Sequence, residues 1–150
     1  MNGIHGTAST EVAAAPDAVF AFLTDLDRLP AWNDAIEELV SRPERLEAGS
    51  EWQVKMHPRR MPGWGSVSTV TEHDPMTRRF SYRTRNADGN PSWTEWTWSV
   101  EPAGAGAVVA VSWDAYLKTA DRRLLAGPIR KRQLAREVPK SLSALKAALA

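Results

Sequence analysis

The chain has 150 residues, 43% hydrophobic and 25% charged, with a formal net charge of +1. That is the balance of a single globular domain, large enough to bury about two thirds of its unfolded surface. It has no cysteine, which excludes disulfides, thiol nucleophiles and thiolate metal sites, and no stretch approaches the roughly 18 apolar residues of a membrane span. The opening MNGIHGTAST is neither basic nor apolar enough for a signal peptide, so the expected location is cytoplasmic. Arginine outnumbers lysine 14 to 5 and alanine is abundant, which suits a GC-rich bacterial source.

In chain order, residues 1–6 are expected to be disordered, and residues 7–15 (TASTEVAAA) read as a first strand. Pro16 suits the first turn of a helix, where its missing N–H costs nothing, and Asp17 complements the positive end of the helix dipole. Val19, Phe22, Leu23 and Leu26 form one face of that helix, which stops near Asp27. A second short helix follows over 29–36, with Pro30 in its first turn and Trp32 pointing inward.

Next comes a series of strands punctuated by turn residues. Residues 39–45 read as an edge strand limited by Pro43. Over 51–57, Trp52, Val54 and Met56 alternate with polar neighbours. The segment PRRMPGWG (58–65) is a loop by its prolines and glycines. Residues 66–73 form a strand whose buried face the pattern leaves open. Over 79–85, Phe80, Tyr82 and Thr84 share one face, and Arg83 and Arg85 the other. Asp88-Gly89 signals a turn. Over 92–101, Thr94, Trp96, Trp98 and Val100 share a face, and the last strand aligns Val109, Val111, Trp113, Ala115 and Leu117.

From Leu134, apolar residues recur at Val138, Leu142, Leu145 and Leu149. At about 100° per residue they make one stripe on a long helix, with Arg132, Arg136 and Lys140 opposite. Thr119 suits its N-cap; Gly127-Pro128 should kink or restart it, and Pro139 should bend it without a break. Strands with one apolar face each, uninterrupted by helix-length segments, imply one antiparallel sheet. The predicted class is therefore α+β: a seven-stranded antiparallel sheet curved around a long C-terminal helix, with two short helices between strands 1 and 2.

The element order, together with APDAVFAFLTDLDRLPAWN (15–33), VTEHDPMTRRFSY (70–82), TWSVEP (97–102) and SLSALKAAL (141–149), resembles the START/Bet v 1-like (SRPBCC) helix-grip superfamily. The resemblance is closest to the bacterial polyketide cyclase/dehydrase and lipid-transport group, and covers nearly the whole chain. It implies a small hydrophobic ligand (a lipid, an isoprenoid or a polyketide-like aromatic) held in a cavity between the sheet and the last helix. Some members are cyclases, and others only bind or carry. The motifs are structural, and fold alone does not choose between the two.

The inward set Trp52, Met56, Phe80, Tyr82, Trp96, Trp98 and Trp113 is large and aromatic, and such rings stack on flat ligands. The set favours a ligand cavity over a core filled by the C-terminal helix. Trp64, beside glycines and preceded by Arg59, Arg60 and Met61, is expected either to form a lid over the mouth or to anchor the loop. Tyr82 is the best inward candidate for a proton donor or an oxyanion hydrogen bond, should the protein act on its ligand. Glu95 and Asp114 lie on the outward register and would turn inward only through a bulge. His5, His57 and His73 show no ligand spacing, so neither a metal nor another cofactor is expected.

Charge is unevenly placed. Residues 118–150 carry nine basic and two acidic side chains, against ten and sixteen in the remainder. Arg122, Arg123, Arg130 and Arg132 could meet an anionic membrane. Nucleic acid is not expected, because the aromatics alternate inward, away from the basic ridge. Monomer and homodimer stay open.

Overall fold

The computed structural model of the chain describes residues 3–58, 60, 62–122 and 127–150. The elements run β1 (Gly3–Val12), α1 (Pro16–Leu23), a 3-10 turn (Leu26–Arg28), α2 (Leu29–Trp32), β2 (Ile36–Ser41), β3 (Glu51–Met56), β4 (Trp64–Asp74), β5 (Arg79–Asn86), β6 (Trp93–Ala103), β7 (Gly106–Tyr116) and α3 (Gly127–Ala148). The seven strands form one antiparallel sheet in the order β1-β7-β6-β5-β4-β3-β2, so β1 and β2 are its edges. The helices cover one face of it. This is the helix-grip architecture expected from the strand pattern.

Local chemistry explains most boundaries. Pro16 opens α1, and Asp17 in its first turn is bound by Arg78 at 3.0 Å from the β4–β5 turn. Asp25 accepts from the Asp27 N–H and starts the 3-10 turn. Asp74 closes β4 by accepting from the backbone N–H groups of Met76 and Thr77, a carboxylate-to-backbone turn that aspartate favours. Arg78 then takes a left-handed conformation (φ 56°), and its Nε donates to the carbonyl of Val100 at 3.2 Å. The turn is thereby tied to both α1 and β6.

Three boundaries differ from the sequence pattern. Residues 3–6 are not a loose leader but the start of β1, because Gly3 to Gly6 find partners in β7 from Tyr116 to Trp113. Gly6 lacks a side chain where a Cβ would collide with the Trp113 ring, so the glycine is what lets the strand lie against that tryptophan. The second helix stops at Trp32, and β2 begins at Ile36 instead of 39: the Asn33 side chain accepts from the Ala35 N–H and turns the chain into the strand. In α1, Phe20 is buried with Val19 and Leu23, whereas Phe22 is only partly buried and lies under the Arg28 guanidinium.

In α3, Leu134, Val138, Leu142 and Leu145 are buried, and Lys131, Arg132, Arg136 and Lys140 are exposed. The helix continues through Pro139. The expected start at Thr119 leads into residues 123–126, which lie outside those described. No helix among the described residues is long and apolar enough to cross a membrane.

Candidate functional site

The inner face of the sheet is completed by a bulge. Pairing of β4 with β5 slips by one residue between Val70 and Glu72. Before the slip Ser66, Ser68 and Val70 face inward with Tyr82 and Thr84; after it His73 pairs with Phe80 on that same face. His73 stacks on Phe20 at 5.7 Å and meets Phe80 edge-on at 5.9 Å. Pairing of β6 with β7 has no such slip, so Glu95 and Asp114 stay on the outer face. There Glu95 faces Arg83 and Asp114 binds His5 at 2.7 Å.

Between this face and the helices lies a cavity of about 460 Å³, within the range of small-molecule sites. Trp52, Met56, Tyr82, Trp96 and Trp98 line it, as expected from their register, and so does Trp64, expected in a loop. Phe80 and Trp113 do not. Phe80 is 2% exposed and packs against Trp52, His73 and Tyr82, and Trp113 lies over Gly6 against Trp96 at 5.8 Å. Both are core.

The aromatic wall is continuous. Tyr82 meets Trp52 edge-on at 4.7 Å and stacks on Trp96 at 6.5 Å. Trp32 stands edge-on to Trp98 at 5.6 Å. The Trp98 indole N–H donates to the Tyr82 hydroxyl at 3.1 Å, and the hydroxyl's own proton has no protein acceptor among the described residues. Burial pushes the Tyr82 pKa up to about 12, opposed only by the Trp98 bond. The phenol therefore stays neutral near pH 7, able to donate to a ligand oxygen. The Trp32 indole N–H is buried and also lacks a partner.

Polar groups complete the lining, some on the same sheet face and some on α3. Ser68 and Thr84 hydroxyls bond at 2.7 Å across β4 and β5, with Ser66 beside them. On α3, Arg130, Glu137 and Ser141 line the cavity; at about 100° per residue they project on one flank of the Leu134–Val138 stripe. Arg130 donates to the Gln133 side-chain oxygen at 2.7 Å, and Gln133 donates on to Glu137 at 3.0 Å. Burial lowers the Arg130 pKa to about 10, and attraction to Glu137 works against that fall; the guanidinium remains charged at neutral pH.

The mouth is drawn together by two contacts. Trp64 is the first residue of β4, half-buried, and the Arg130 guanidinium lies 5.7 Å from its ring centroid. Arg122 binds Asp88 of the β5–β6 connection at 2.8 Å. Of the residues expected to flank a lid, Arg59 and Met61 lie outside those described, as does Arg123. Arg122 and Arg130 turn toward the mouth, and Arg132 is solvent-exposed.

Residues the sequence reading left out of the site are Trp32, Ser66, Ser68, Arg130 and Glu137. Trp32 carried a signal as an inward residue of a short helix, but nothing in periodicity says what a helix residue faces. The α3 polar flank was legible in principle, because 130, 137 and 141 follow helical spacing beside the apolar stripe. Among the described residues no cluster of His, Asp and Glu could hold a metal ion.

Known structures share this architecture. A protein CV1439 from Chromobacterium violaceum is 17% identical with a TM-score of 0.76, over 97% of this chain and 96% of that one. The Zhui aromatase/cyclase from Streptomyces sp. R1128 is 19% identical with a TM-score of 0.75, covering 98% and 93%. A START superfamily protein from Mycobacterium smegmatis is 17% identical with a TM-score of 0.75, covering 97% and 96%. At these identities the likeness is one of fold. No curated protein matches the sequence. Residues 3–150 match the family model described as polyketide cyclase/dehydrase and lipid transport, and the chain, with its seven-stranded sheet gripping α3, belongs to that family.

Proposed function

We propose that the protein binds or carries a small hydrophobic molecule (a lipid, an isoprenoid or a polyketide-like aromatic) in the cavity beneath α3. The observation that carries this reading is the combination of an open cavity of about 460 Å³ with a wall of Trp32, Trp52, Tyr82, Trp96 and Trp98. Rigid rings supply apolar contact area at little entropy cost, and their faces suit flat or polycyclic bodies. The test is native mass spectrometry of the protein as recovered from its own host. A stoichiometric hydrophobic adduct is expected, lost from a folded Trp96→Asp variant. A bare mass, with no uptake from a host lipid extract, would contradict the reading.

A second reading, turnover of the ligand by a cyclase or dehydratase step, is favoured by one feature: the Tyr82 hydroxyl keeps its proton and has no acceptor for it among the described residues. The two readings part on Tyr82→Phe. A binder loses one hydrogen bond, about 1 kcal/mol in affinity. An enzyme deprived of its general acid loses about 10² to 10⁴ in rate. Delivery at an anionic membrane is supported by exposed Lys131, Arg132 and Arg136 near exposed Ile129 on α3; it predicts salt-sensitive cosedimentation with phosphatidylglycerol vesicles and none with phosphatidylcholine.

A further inference from the structure

The polar flank of α3 narrows the class of ligand, on the premise that the cavity takes a hydrophobic molecule. Three arginines line the cavity, Arg85, Arg122 and Arg130, and the charges of the two near α3 are met differently. Arg122 is neutralised by Asp88 at 2.8 Å. Arg130 has no carboxylate within 4 Å among the described residues. Its one side-chain hydrogen bond goes to the neutral amide oxygen of Gln133, and its guanidinium carbon lies 5.7 Å from the Trp64 ring centroid. Glu137, the carboxylate on the same helix flank, is bonded to the Gln133 amide and attracts Arg130 only from beyond salt-bridge distance.

A guanidinium has five N–H donors in a planar fork, and the rest of this fork finds no protein acceptor among the described residues. Charges taken out of bulk water are ordinarily paired, because burial without a counter-ion is costly. Here the group lines a cavity whose floor is aromatic, and the lowered pKa already reports the cost of its position. The guanidinium carbon stands 5.7 Å from the Trp64 ring centroid, and a guanidinium with N–H donors left unengaged suits bidentate contact with an oxyanion.

We infer that Arg130 seats the carboxylate of an amphipathic organic acid at the cavity mouth, with the acid's apolar body lying along Trp52, Trp96 and Trp98. The other charged groups at the rim do not compete for that role. Arg85 is exposed and solvated, Arg122 is engaged by Asp88, and Glu137 repels an anion from the next turns of the helix. Selectivity for the acid therefore depends on direct contact with Arg130, not on a generally positive mouth.

The test compares naphthoate with its methyl ester, which share one ring body, by titration of the full chain at neutral pH. A charge-assisted hydrogen bond predicts about ten- to a hundredfold tighter binding of the acid. Arg130→Gln should bring the acid-to-ester ratio close to one, and Arg130→Lys should restore part of it. Glu137→Gln keeps Arg130 and should hold or raise the ratio, so it serves if Arg130→Gln fails to fold. Equal binding of acid and ester by the unmodified protein overturns this inference and leaves the hydrophobic-ligand reading standing. A preference that survives Arg130→Gln, or falls in Glu137→Gln, overturns it too. Binding of neither compound removes the premise and the inference together.

Discussion

The two ends of the sheet's inner face carry the same alternation of large apolar side chains, yet only one of them is filled. At the end formed by the β4–β5 turn, Phe80, Val100 and Val109 are 2%, 0% and 0% exposed, covered by Val19, Phe20 and Leu23 of α1. At the other end Tyr82, Trp96 and Trp64 are only partly buried and face the cavity. The difference lies in what covers the strands. α1 packs on β6 and β7 at the first end through buried Val19, Phe20 and Leu23, whereas the second end has α2 and the start of α3, which brings Arg130, Glu137 and Ser141 to the cavity beside Leu134 and Val138. The cavity arises here from incomplete coverage of an apolar sheet, not from a distinct set of residues. Phe80 and Tyr82 are two positions apart on one strand, and one is core while the other is wall.

Substitutions at the two ends should separate stability from binding. Leu145, fully buried on α3 and no part of the cavity wall, should cost about 2–5 kcal/mol as Leu145→Ala, read by urea unfolding. Ligand affinity per folded molecule should barely change. Trp96→Ala should do the reverse. Its stability cost should be the smaller of the two, because part of the ring already faces open space, while ligand affinity falls at least tenfold.

Between these lies Gly6→Val, which forces a branched side chain into the Trp113 ring. Overpacking of this kind should cost about 1–3 kcal/mol, and a second change, Trp113→Leu, should recover part of it. An alkaline titration gives a comparable effect. Tyr82 has a folded pKa raised to about 12 from 10.0, so the unfolded chain releases this proton first as pH rises. The stabilisation is complete below pH 10, and on the order of 2 kcal/mol is lost as pH climbs from 10 to 12. Tyr82→Phe should flatten that segment of the stability profile. The smallest effect belongs to Asp114→Asn, which removes an exposed pair with His5; thermal unfolding should register no more than about 0.5 kcal/mol.

What the sequence made legible follows the same division. Strand alternation identified the inward registers of β3, β5, β6 and β7, because a side-chain period of two survives whatever packs on top. Of the eight residues expected to meet a ligand six line the cavity, five of them for that reason and Trp64 from the segment expected to be a loop. It could not tell Phe80 and Trp113 from their neighbours, since a register names a face and not what covers it. The first four residues of β1 were invisible because Gly3 and Gly6 read as loop, although Gly6 is required by the ring opposite. The face of β4 stayed open because a bulge at residue 71 reverses the alternation midway. Arg130 was read with the solvated basic ridge. Charge counts treat every arginine on a helix alike, and only packing shows one turned over a tryptophan.

The most direct measurement of the central claim is calorimetric titration with naphthol, a neutral polycyclic probe, at several temperatures. The open end of the grip predicts one-to-one binding with a negative heat-capacity change, the mark of apolar burial, abolished in a folded Thr84→Trp variant that fills the cavity from β5. Absence of saturable binding, or binding that Thr84→Trp leaves intact, would show that the space beneath α3 is not where a hydrophobic ligand is held.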